Sequence, residues 1–331
     1  MQQNKGISVV IPNYNGAALL PQIIPPLLLA LNNSKLQYQI IVSDDFSTDN
    51  SIKFLSQNYP EIIILKNELN VGFSKTINKG IFIAEFDYVL LLNSDVKLSP
   101  NYFDGIFSYF NNDDTFGVMG RIIGWDNDVI QDGAKYPSFH GVKIKTNENY
   151  IPTEPKQNDL LYSMYLSGAN ALVSKEKLLQ LKGFDEIFSP FYVEDFELCL
   201  RAWRLGWKCY YHHNSICMHQ TSTSIKSKSK KQFVKTIYSR NKMIMHAIHL
   251  STPKLCIWYL QQFIEILIHI FTGRFYFLKS FWGFLKLQNQ ISLSKKRLKD
   301  ISTSGKGLLS LNVVVNTIKS TLKNREIIRF K

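Results

Sequence analysis

The sequence predicts an α/β protein, a mostly parallel sheet flanked by helices on both faces, followed by a basic helical region. Three observations predict it. Short apolar runs alternate with helix-length segments over the first hundred or so positions, which is the pattern of buried parallel strands joined by crossover helices. Polar clusters close several of those runs, where open parallel sheets bind their ligands. Charge is also divided along the chain. Residues 226–331 hold 21 Lys and Arg against three acids, a net of +18, while residues 1–225 carry a net of −5.

That charge break, near Thr221 to Lys231, sets the predicted boundary between residues 1–225 and residues 226–331. A chain of 331 residues is long enough for one large or two modest cores. Cys199, Cys209, Cys217 and Cys256 lack the paired spacing of a zinc site and are expected to be reduced core residues of a cytosolic chain. The start, Met1 to Gly6, is polar and runs straight into a strand, so no signal peptide is expected.

The elements follow in order. Ile7 to Pro12 is a β-rich run stopped by proline, with turn residues Asn13 to Gly16 after it. Leu19 to Leu31 is helix-length, and Pro21, Pro25 and Pro26 predict that only its later half is regular. Tyr38 to Ser43 is the next strand, ending on Asp44-Asp45, and Ser47-Thr48-Asp49 offers caps for a helix through Leu55. Ile62 to Leu65 is a third strand, Phe73 to Ile83 a helix, and Asp87 to Leu92 a fourth strand ending in Asn93-Ser94-Asp95. Strands are expected at Gly117 to Ile123, Val142 to Lys145 and Tyr165 to Ala171. The polar stretch Thr146 to Asp159 is expected to be a mobile excursion, and Ser174 to open a short helix.

The clusters at Asn13 to Asn15, Asp44-Asp45 and Asn93 to Asp95 should converge on one crevice. An Asp-Asp pair accepts hydrogen bonds from ribose or base, and Asp95 offers an oxygen of the kind Mg²⁺ or Mn²⁺ prefers, its shell completed by substrate phosphates. Singly, each of these aspartates could be only a turn or cap residue. The densest signal is Tyr192-Val193-Glu194-Asp195-Phe196-Glu197, three carboxylates between an aromatic loop and a helix that is apolar on two sides. Acids in such surroundings are costly to bury unless paired, metal-bound or used in chemistry. Asp195 reads either as a helix N-cap, worth about 1 kcal/mol, or as the base that takes a proton from an attacking hydroxyl.

The segments Val9 to Gly16, Asp44 to Asp49, Asn70-Val71-Gly72-Phe73 with Asn78-Lys79-Gly80, Leu91 to Asp95, and Gly183 to Glu186 through Glu194-Asp195 to Arg201 resemble family 2 glycosyltransferases, most closely rhamnosyltransferase-like enzymes of bacterial surface polysaccharides. The resemblance spans about residues 6–222. It implies the GT-A fold, with a nucleotide-binding half at about 1–116 and an acceptor-side half at about 117–225. It implies a donor site from Pro12, Tyr14, Asn15, Asp44, Asp45, Gly72, Phe73, Asn78, Asn93 and Ser94. A divalent metal, Mn²⁺ or Mg²⁺, would be held by Asp95 and His219. Asp195 would be the catalytic base, and Glu194 would orient it or bind acceptor. His212 and His213 are read as structural. Asn93 departs from the first aspartate of the common Asp-x-Asp motif, and Phe46 from a frequent glycine. The implied partners are a nucleotide-diphosphate sugar and a glycan or lipid-linked glycan acceptor, and the implied reaction is transfer with inversion.

The last third carries apolar and aromatic runs among its cations. Lys226 to Lys231 reads as a linker, Phe233 to His249 as a basic amphipathic helix, and Leu255 to Phe271 as an apolar run interrupted by Gln261, Gln262, Glu265 and His269. Such faces fit helices lying on an anionic membrane surface, here the inner face of the cell membrane, with a bundle packed on the first domain as the other reading. A nucleic-acid groove is disfavoured because the charge is interleaved with large apolar side chains. A dinucleotide oxidoreductase is disfavoured because Asn13 to Gly16 lacks the Gly-rich fingerprint. A glycoside hydrolase would use paired carboxylates but no nucleotide pocket. A nucleotidyltransferase, or a nucleotide-sugar-binding protein with little catalysis, remains the alternative on the same sheet.

Overall fold

The computed structural model describes residues 4–155, 160–220, 231–302 and 307–331. β1 (Gly6–Asn13), β2 (Gln37–Asp44), β3 (Ile63–Lys66) and β4 (Tyr88–Leu92) run parallel in the order β3-β2-β1-β4. The sheet continues through β11 (Asn170–Ser174), antiparallel to its neighbours β4 and β6 (Thr115–Gly124), and then through β12 (Lys208–His219), parallel to β6. β5 (Val96–Leu98) and β10 (Leu161–Tyr162) pair with β12, and β7 (Ile130–Asp132) with β6. This register brings the carboxyl ends of β1, β2, β4, β6 and β12 to one edge, with Asn13, Asp44, Asn93 to Asp95 and His219 along it.

α1 (Leu20–Ser34), α2 (Ser51–Asn58) and α3 (Phe73–Ile83) fill the crossovers. α1 runs unbroken through Pro25 and Pro26, contrary to the expectation from its prolines. An interior proline costs about 3 kcal/mol. Burial of Leu20, Ile23, Ile24, Leu27 and Leu31 returns about 1.5–3 kcal/mol for each side chain, which outweighs it.

The middle of the chain departs further from expectation. β8 (Ala134–His140), β9 (Lys143–Pro152) and β13 (Ile327–Phe330) form a second sheet, so Thr146 to Pro152 is strand and not a mobile excursion. Tyr150 on β9 is wholly buried, and the C-terminal strand supplies the missing edge. Residues 156–159 of that stretch lie outside the described residues, as does most of the linker expected at Lys226 to Lys231. The strand expected over Tyr165 to Ala171 starts only at Asn170, because Ser163 to Ala169 forms a bend across the sheet edge. α4 (Lys175–Gln180) is capped by Ser174 as expected, and α5 (Glu194–Arg204) follows.

The basic third is not a free-standing unit. α6 (Lys231–His249), α8 (Tyr276–Leu285), α9 (Gln288–Ser302) and α10 (Leu311–Ser320) contribute Ile244, Phe284, Leu298 and Val315 to the same core as α5 and β6. A buried hydrogen bond to an ion-paired carboxylate seals the seam. Glu197 of α5, wholly buried, accepts from Arg201 Nε at 2.9 Å and from His249 Nε2 of α6 at 3.2 Å. Arg201 also donates to the carbonyls of Leu181 and Gly183.

α7 (Thr252–Phe271) is inside out. Its inner face carries Trp258, Gln262, Glu265 and His269: Glu265 pairs with Lys143 at 2.5 Å, and His269 stacks on Phe277 at 4.2 Å. Ile257, Leu260, Ile264, Leu267 and Phe271, at helical spacing, face outward and are exposed. The polar residues that interrupt the apolar run are therefore its packing surface. Among the described residues, α7 is the one helix long and apolar enough to cross a membrane. Cys199, Cys209 and Cys217 are buried and free as expected, but Cys256 on α7 is exposed.

Burial depresses His249 to about 4, against the pull of Glu197, and His246 to about 3. A histidine lowered in the fold contributes its stability above the unfolded value of about 6.5 and loses it as pH falls from there toward the folded value. Going from about pH 7 to about pH 5 should cost on the order of 2 kcal/mol per buried imidazole. Urea denaturation at both values measures this. A His249→Gln variant should show a smaller drop than the parent; an equal drop would assign the acid sensitivity elsewhere.

Candidate active site

The donor-side edge is built from three turns. After β1, Asn13 Nδ2 donates to Asp44 Oδ1 at 2.7 Å, and Ser47 N donates to Asp44 Oδ2 at 2.9 Å, so Asp44 is buried and fixed at the end of β2. Asn15 accepts from Thr48 N at 2.8 Å, while Tyr14 (42 % exposed) and Phe46 (49 % exposed) stand beside the edge. Phe46 holds a left-handed φ of 65°, a conformation a glycine would adopt without strain. Pro12 is half-buried at the same edge.

Asp45 and Asn78 turn out differently from the donor-binding role expected of them. Asp45 accepts from Val71 N, Gly72 N and Asn67 Nδ2 at 2.8–3.0 Å, which ties the 70–72 loop to β2. Asn78 accepts from Phe184 N and donates to Phe184 O, both at 2.9 Å, so its amide fastens α3 to the loop before the carboxylate run. Gly72 has a φ of 87°, and a Cβ there would lie 2.7 Å from Pro190 Cα, so no side chain fits. Phe73 N donates to Pro190 O at 2.8 Å, and its ring meets Phe184 edge-on at 5.6 Å. These residues shape the wall of the crevice.

Asn93, Ser94 and Asp95 form the turn between β4 and β5. Asp95 Oδ1 is buried with no hydrogen-bond partner among the described residues. His219, at the end of β12, places Nε2 3.5 Å from Asp95 Oδ2. Its Nδ1 lies 3.3 Å from Gln131 Oε1. That amide oxygen fixes the proton on Nδ1, leaving the Nε2 lone pair turned to a carboxylate. Two acceptors face each other stably when a cation, a proton or a metal, sits between them. The orphaned oxygen and the imidazole lone pair suit a divalent ion. Two protein groups leave room in its shell for substrate phosphate, and no larger cluster of His, Cys, Asp or Glu stands ready among the described residues.

The carboxylate run lies across the bend at Ser167 to Ala169. Asn93 N donates to Ala169 O at 3.2 Å, and next to it the Asp195 Cβ approaches Gly168 to within van der Waals range of where a Cβ would stand, 3.8 Å. The turn that carries Asp95 and the helix start that carries Asp195 therefore both meet this short bend, the first through Asn93. Asp195 is not the N-cap: α5 begins at Glu194, with Val193 as the capping position, and Asp195 sits in the first turn accepting from Phe196 N at 2.7 Å. Tyr192 and Val193 carry left-handed φ of 74° and 76°. For a β-branched valine that is an outlier, costing of order 1–3 kcal/mol.

Glu194 and Asp195 differ electrostatically. Burial, then the adjacent Asp195, pushes Glu194 well above the usual carboxylate range, and its Oε2 is buried without a partner. Burial also raises Asp195, but the N–H groups of Phe196 and Gly168 and the Lys135 ammonium hold it down. With like charges side by side, the two carboxyl groups oppose each other's ionisation, and the upward push is the stronger on Glu194. Lys135 is itself paired with Asp132 and lies over the Tyr165 ring at 5.1 Å, which stacks on Phe196 at 5.1 Å.

Asn241 carries no motif or spacing signal in the sequence. From the middle of α6 its Nδ2 donates to the carbonyls of Phe188, Phe191 and Tyr192 at 2.6, 3.0 and 2.8 Å. Arg240 adds a bond to Ser189 O. One buried amide thus clamps the strained loop that presents Glu194 and Asp195. His212 and His213 bond Ser215 and Arg121, in keeping with structural roles.

A family model described as glycosyl transferase family 2 matches residues 8–181. The chain is 25 % identical over 240 residues to the N-acetylglucosaminyl-diphospho-decaprenol L-rhamnosyltransferase of Mycobacterium tuberculosis, covering 66 % of this chain and 77 % of that one. GalNAc-T7, solved with UDP, GalNAc and Mn²⁺, superposes with a TM-score of 0.59 at 15 % identity, over 76 % of this chain and 49 % of that one. The chain thus spans about half the length of GalNAc-T7. The mannosyltransferase PcManGT from Pyrobaculum calidifontis, solved with GDP-Man and Mn²⁺, superposes with a TM-score of 0.52 at 11 % identity, over 98 % and 82 %. The last two likenesses are likenesses of fold.

Removing the clamp should expose its role. Asn241→Ala removes the donor from one buried and two partly buried carbonyls, and a buried group left unsatisfied costs about 1–3 kcal/mol. The variant should lose stability of that order and lose turnover out of proportion to any change in nucleotide affinity, read by denaturation and by titration calorimetry. Wild-type turnover in a destabilised Asn241→Ala protein would show that the loop holds itself.

Proposed function

The chain belongs to glycosyltransferase family 2, and from that membership we propose that it moves a sugar from a nucleotide-diphosphate donor to a hydroxyl of a lipid-linked glycan, with inversion, at the inner face of the cell membrane. The observation that carries the reading is that the turn bearing Asp95, paired with His219, and the helix start bearing Glu194 and Asp195 both meet the Ser167 to Ala169 bend. The nucleotide lies along the edge formed by Pro12, Tyr14, Asn15 and Asp44, and the diphosphate reaches Asn93, Ser94 and Asp95. Asp95 and His219 hold a divalent cation, the class of ion found in the two neighbours solved with Mn²⁺. Such an ion, when bound, neutralises charge that builds on the departing diphosphate.

The acceptor hydroxyl approaches the anomeric carbon from the face opposite the diphosphate. Its oxygen forms the new glycosidic bond, the bond from the anomeric carbon to the phosphate oxygen breaks, and the nucleoside diphosphate leaves with the electron pair. The hydroxyl proton passes to the ionised Asp195 carboxylate. Glu194, kept protonated beside it, leaves the pair a single negative charge and donates a hydrogen bond to acceptor or base.

The outward apolar stripe of α7, joined by the exposed Phe275 and Trp282 of α8 and surrounded by the net +18 of residues 226–331, supports a peripheral seat on an anionic bilayer. Wild-type protein should sediment with phosphatidylcholine vesicles containing phosphatidylglycerol, and a Leu260→Ser, Ile264→Ser, Phe271→Ser variant should stay in the supernatant. Equal sedimentation of both would sink the membrane seat.

Asp195→Asn keeps the shape and removes the proton acceptor, so kcat should fall by about 10²–10⁴-fold while nucleotide affinity holds. Turnover within tenfold of the parent would refute the base. Because Asp195 acts ionised and its pKa is raised, kcat/KM should fall as pH drops through a value above the ordinary carboxylate range. An acidic limb at or below that range would place the titrating group elsewhere.

A further inference from the structure

Where α6 begins, the corner between α7 and α8 opens a cleft of about 500 Å³. Lys231, Lys235 and Arg274 line it with Gln232, Gly273 and Tyr276, so among the described residues every charged side chain in its wall is a cation. Three like charges around one concavity repel each other, and an anion seated there relieves that repulsion with charge-assisted hydrogen bonds. Gly273 turns the corner with a φ of 69° and open space around it, which leaves the cleft floor accessible.

Two features beside the cleft narrow the anion. On one side the apolar stripe of α7 ends at Phe271, 86 % exposed, and Phe275 follows Arg274 directly, 55 % exposed. An anion in the cleft would therefore have an apolar track next to it. On the other side α6 leads to the carboxylates. Phe233 lies 6.2 Å from the Phe191 ring and Tyr238 5.9 Å from the Tyr192 ring, and both remain partly open to solvent. From Lys235 to Asn241, which grips the catalytic loop, the helix rises roughly 9 Å. Aromatic faces along such a path suit the apolar faces of a sugar ring.

We infer that the Lys231, Lys235 and Arg274 cleft holds the diphosphate of a lipid-linked sugar acceptor, with the lipid chain along the α7 stripe and the sugar passing over Phe233 and Tyr238 toward Asp195. The inference rests on the membrane-seated transferase reading and names the acceptor group that reading leaves open. A diphosphate diester brings two negative charges to three cations. A phospholipid headgroup brings one, and binds by the same chemistry more weakly.

Full-length protein in neutral detergent is titrated with geranylgeranyl diphosphate, geranylgeraniol and inorganic pyrophosphate, and is sedimented in parallel with phosphatidylcholine vesicles with and without phosphatidylglycerol. Geranylgeranyl diphosphate should bind at least tenfold tighter than either the alcohol or pyrophosphate alone. The Lys235→Ala, Arg274→Ala variant should lose that advantage, and Lys296→Ala, an exposed cation on α9 outside the cleft, should keep it. Unchanged affinity in the double variant, or equal affinity for the diphosphate and the alcohol, overturns the site. A double variant whose loss is confined to phosphatidylglycerol vesicles overturns it too, in favour of a headgroup. Failure of wild-type protein to sediment with any vesicle, while diphosphate binding persists, counts against the membrane seat and leaves the cleft standing.

Discussion

The arrangement depends on holding two adjacent carboxyl groups, the buried Glu194 and the partly buried Asp195, at the start of a helix with no cation bonded to either among the described residues. Burial of an unpaired carboxylate is among the costliest acts in folding, and a neighbouring one makes it worse. The helix start itself offsets part of this, since the positive end of α5 favours negative charge. Burial and the neighbouring carboxyl raise Glu194 strongly, while the Phe196 and Gly168 N–H groups and Lys135 work against the rise of Asp195. The left-handed turn at Tyr192 and Val193 aims the pair at the crevice. That turn is held from outside by Asn241.

This requirement explains why the basic third is inseparable from the rest. Asn241 clamps the loop, His249 completes the ion pair of Glu197 with Arg201, and β13 supplies the edge of the sheet that contains Lys135. A buried ion pair is weak evidence for stability, but removing one partner leaves the other charge stranded at a cost of about 3–5 kcal/mol. Glu197 and His249 are 52 positions apart, so α5 and the C-terminal region share a buried contact. Whatever surface α7 meets is then two helix contacts from the catalytic loop.

The front of the sheet was legible because its signals are local. Val9 to Asn13, Tyr38 to Asp44 and Tyr88 to Leu92 are apolar runs with a polar residue at the carboxyl end, and the topology follows from their alternation with helices. The carboxylate run was legible as an anomaly, although Asp195 lies one step inside the helix it was expected to cap. What could not be read depends on distant partners. Asn241 looks like any polar residue on a basic helix, and only the fold brings it under three carbonyls. Asn78 and Asp45 carried motif signals, yet spend their polar atoms on the scaffold. Thr146 to Pro152 looked like a loop because its composition is polar and one of its two pairing strands lies some 180 positions away, at Ile327 to Phe330. In α7 the polar residues pointed to interruptions, when they mark its packed face.

The substitution of Asn93 into the metal turn is consistent with the chemistry at its neighbours. A second aspartate there would add a negative charge to the path of an incoming diphosphate. It would be useful only if a metal were bound first and tightly. With Asn93 the turn presents one carboxylate, one oxygen of which lacks a partner, facing an imidazole whose other nitrogen is occupied by Gln131. Two neutral-to-anionic donors bind a divalent ion weakly by themselves and better once phosphate oxygens complete the shell. An ion held there and the donor would then bind as a unit, each raising the affinity of the other, as linkage requires of two ligands that share contacts. On the proposed reading, a single carboxylate at Asp95 would couple the occupancy of the ion to that of the substrate.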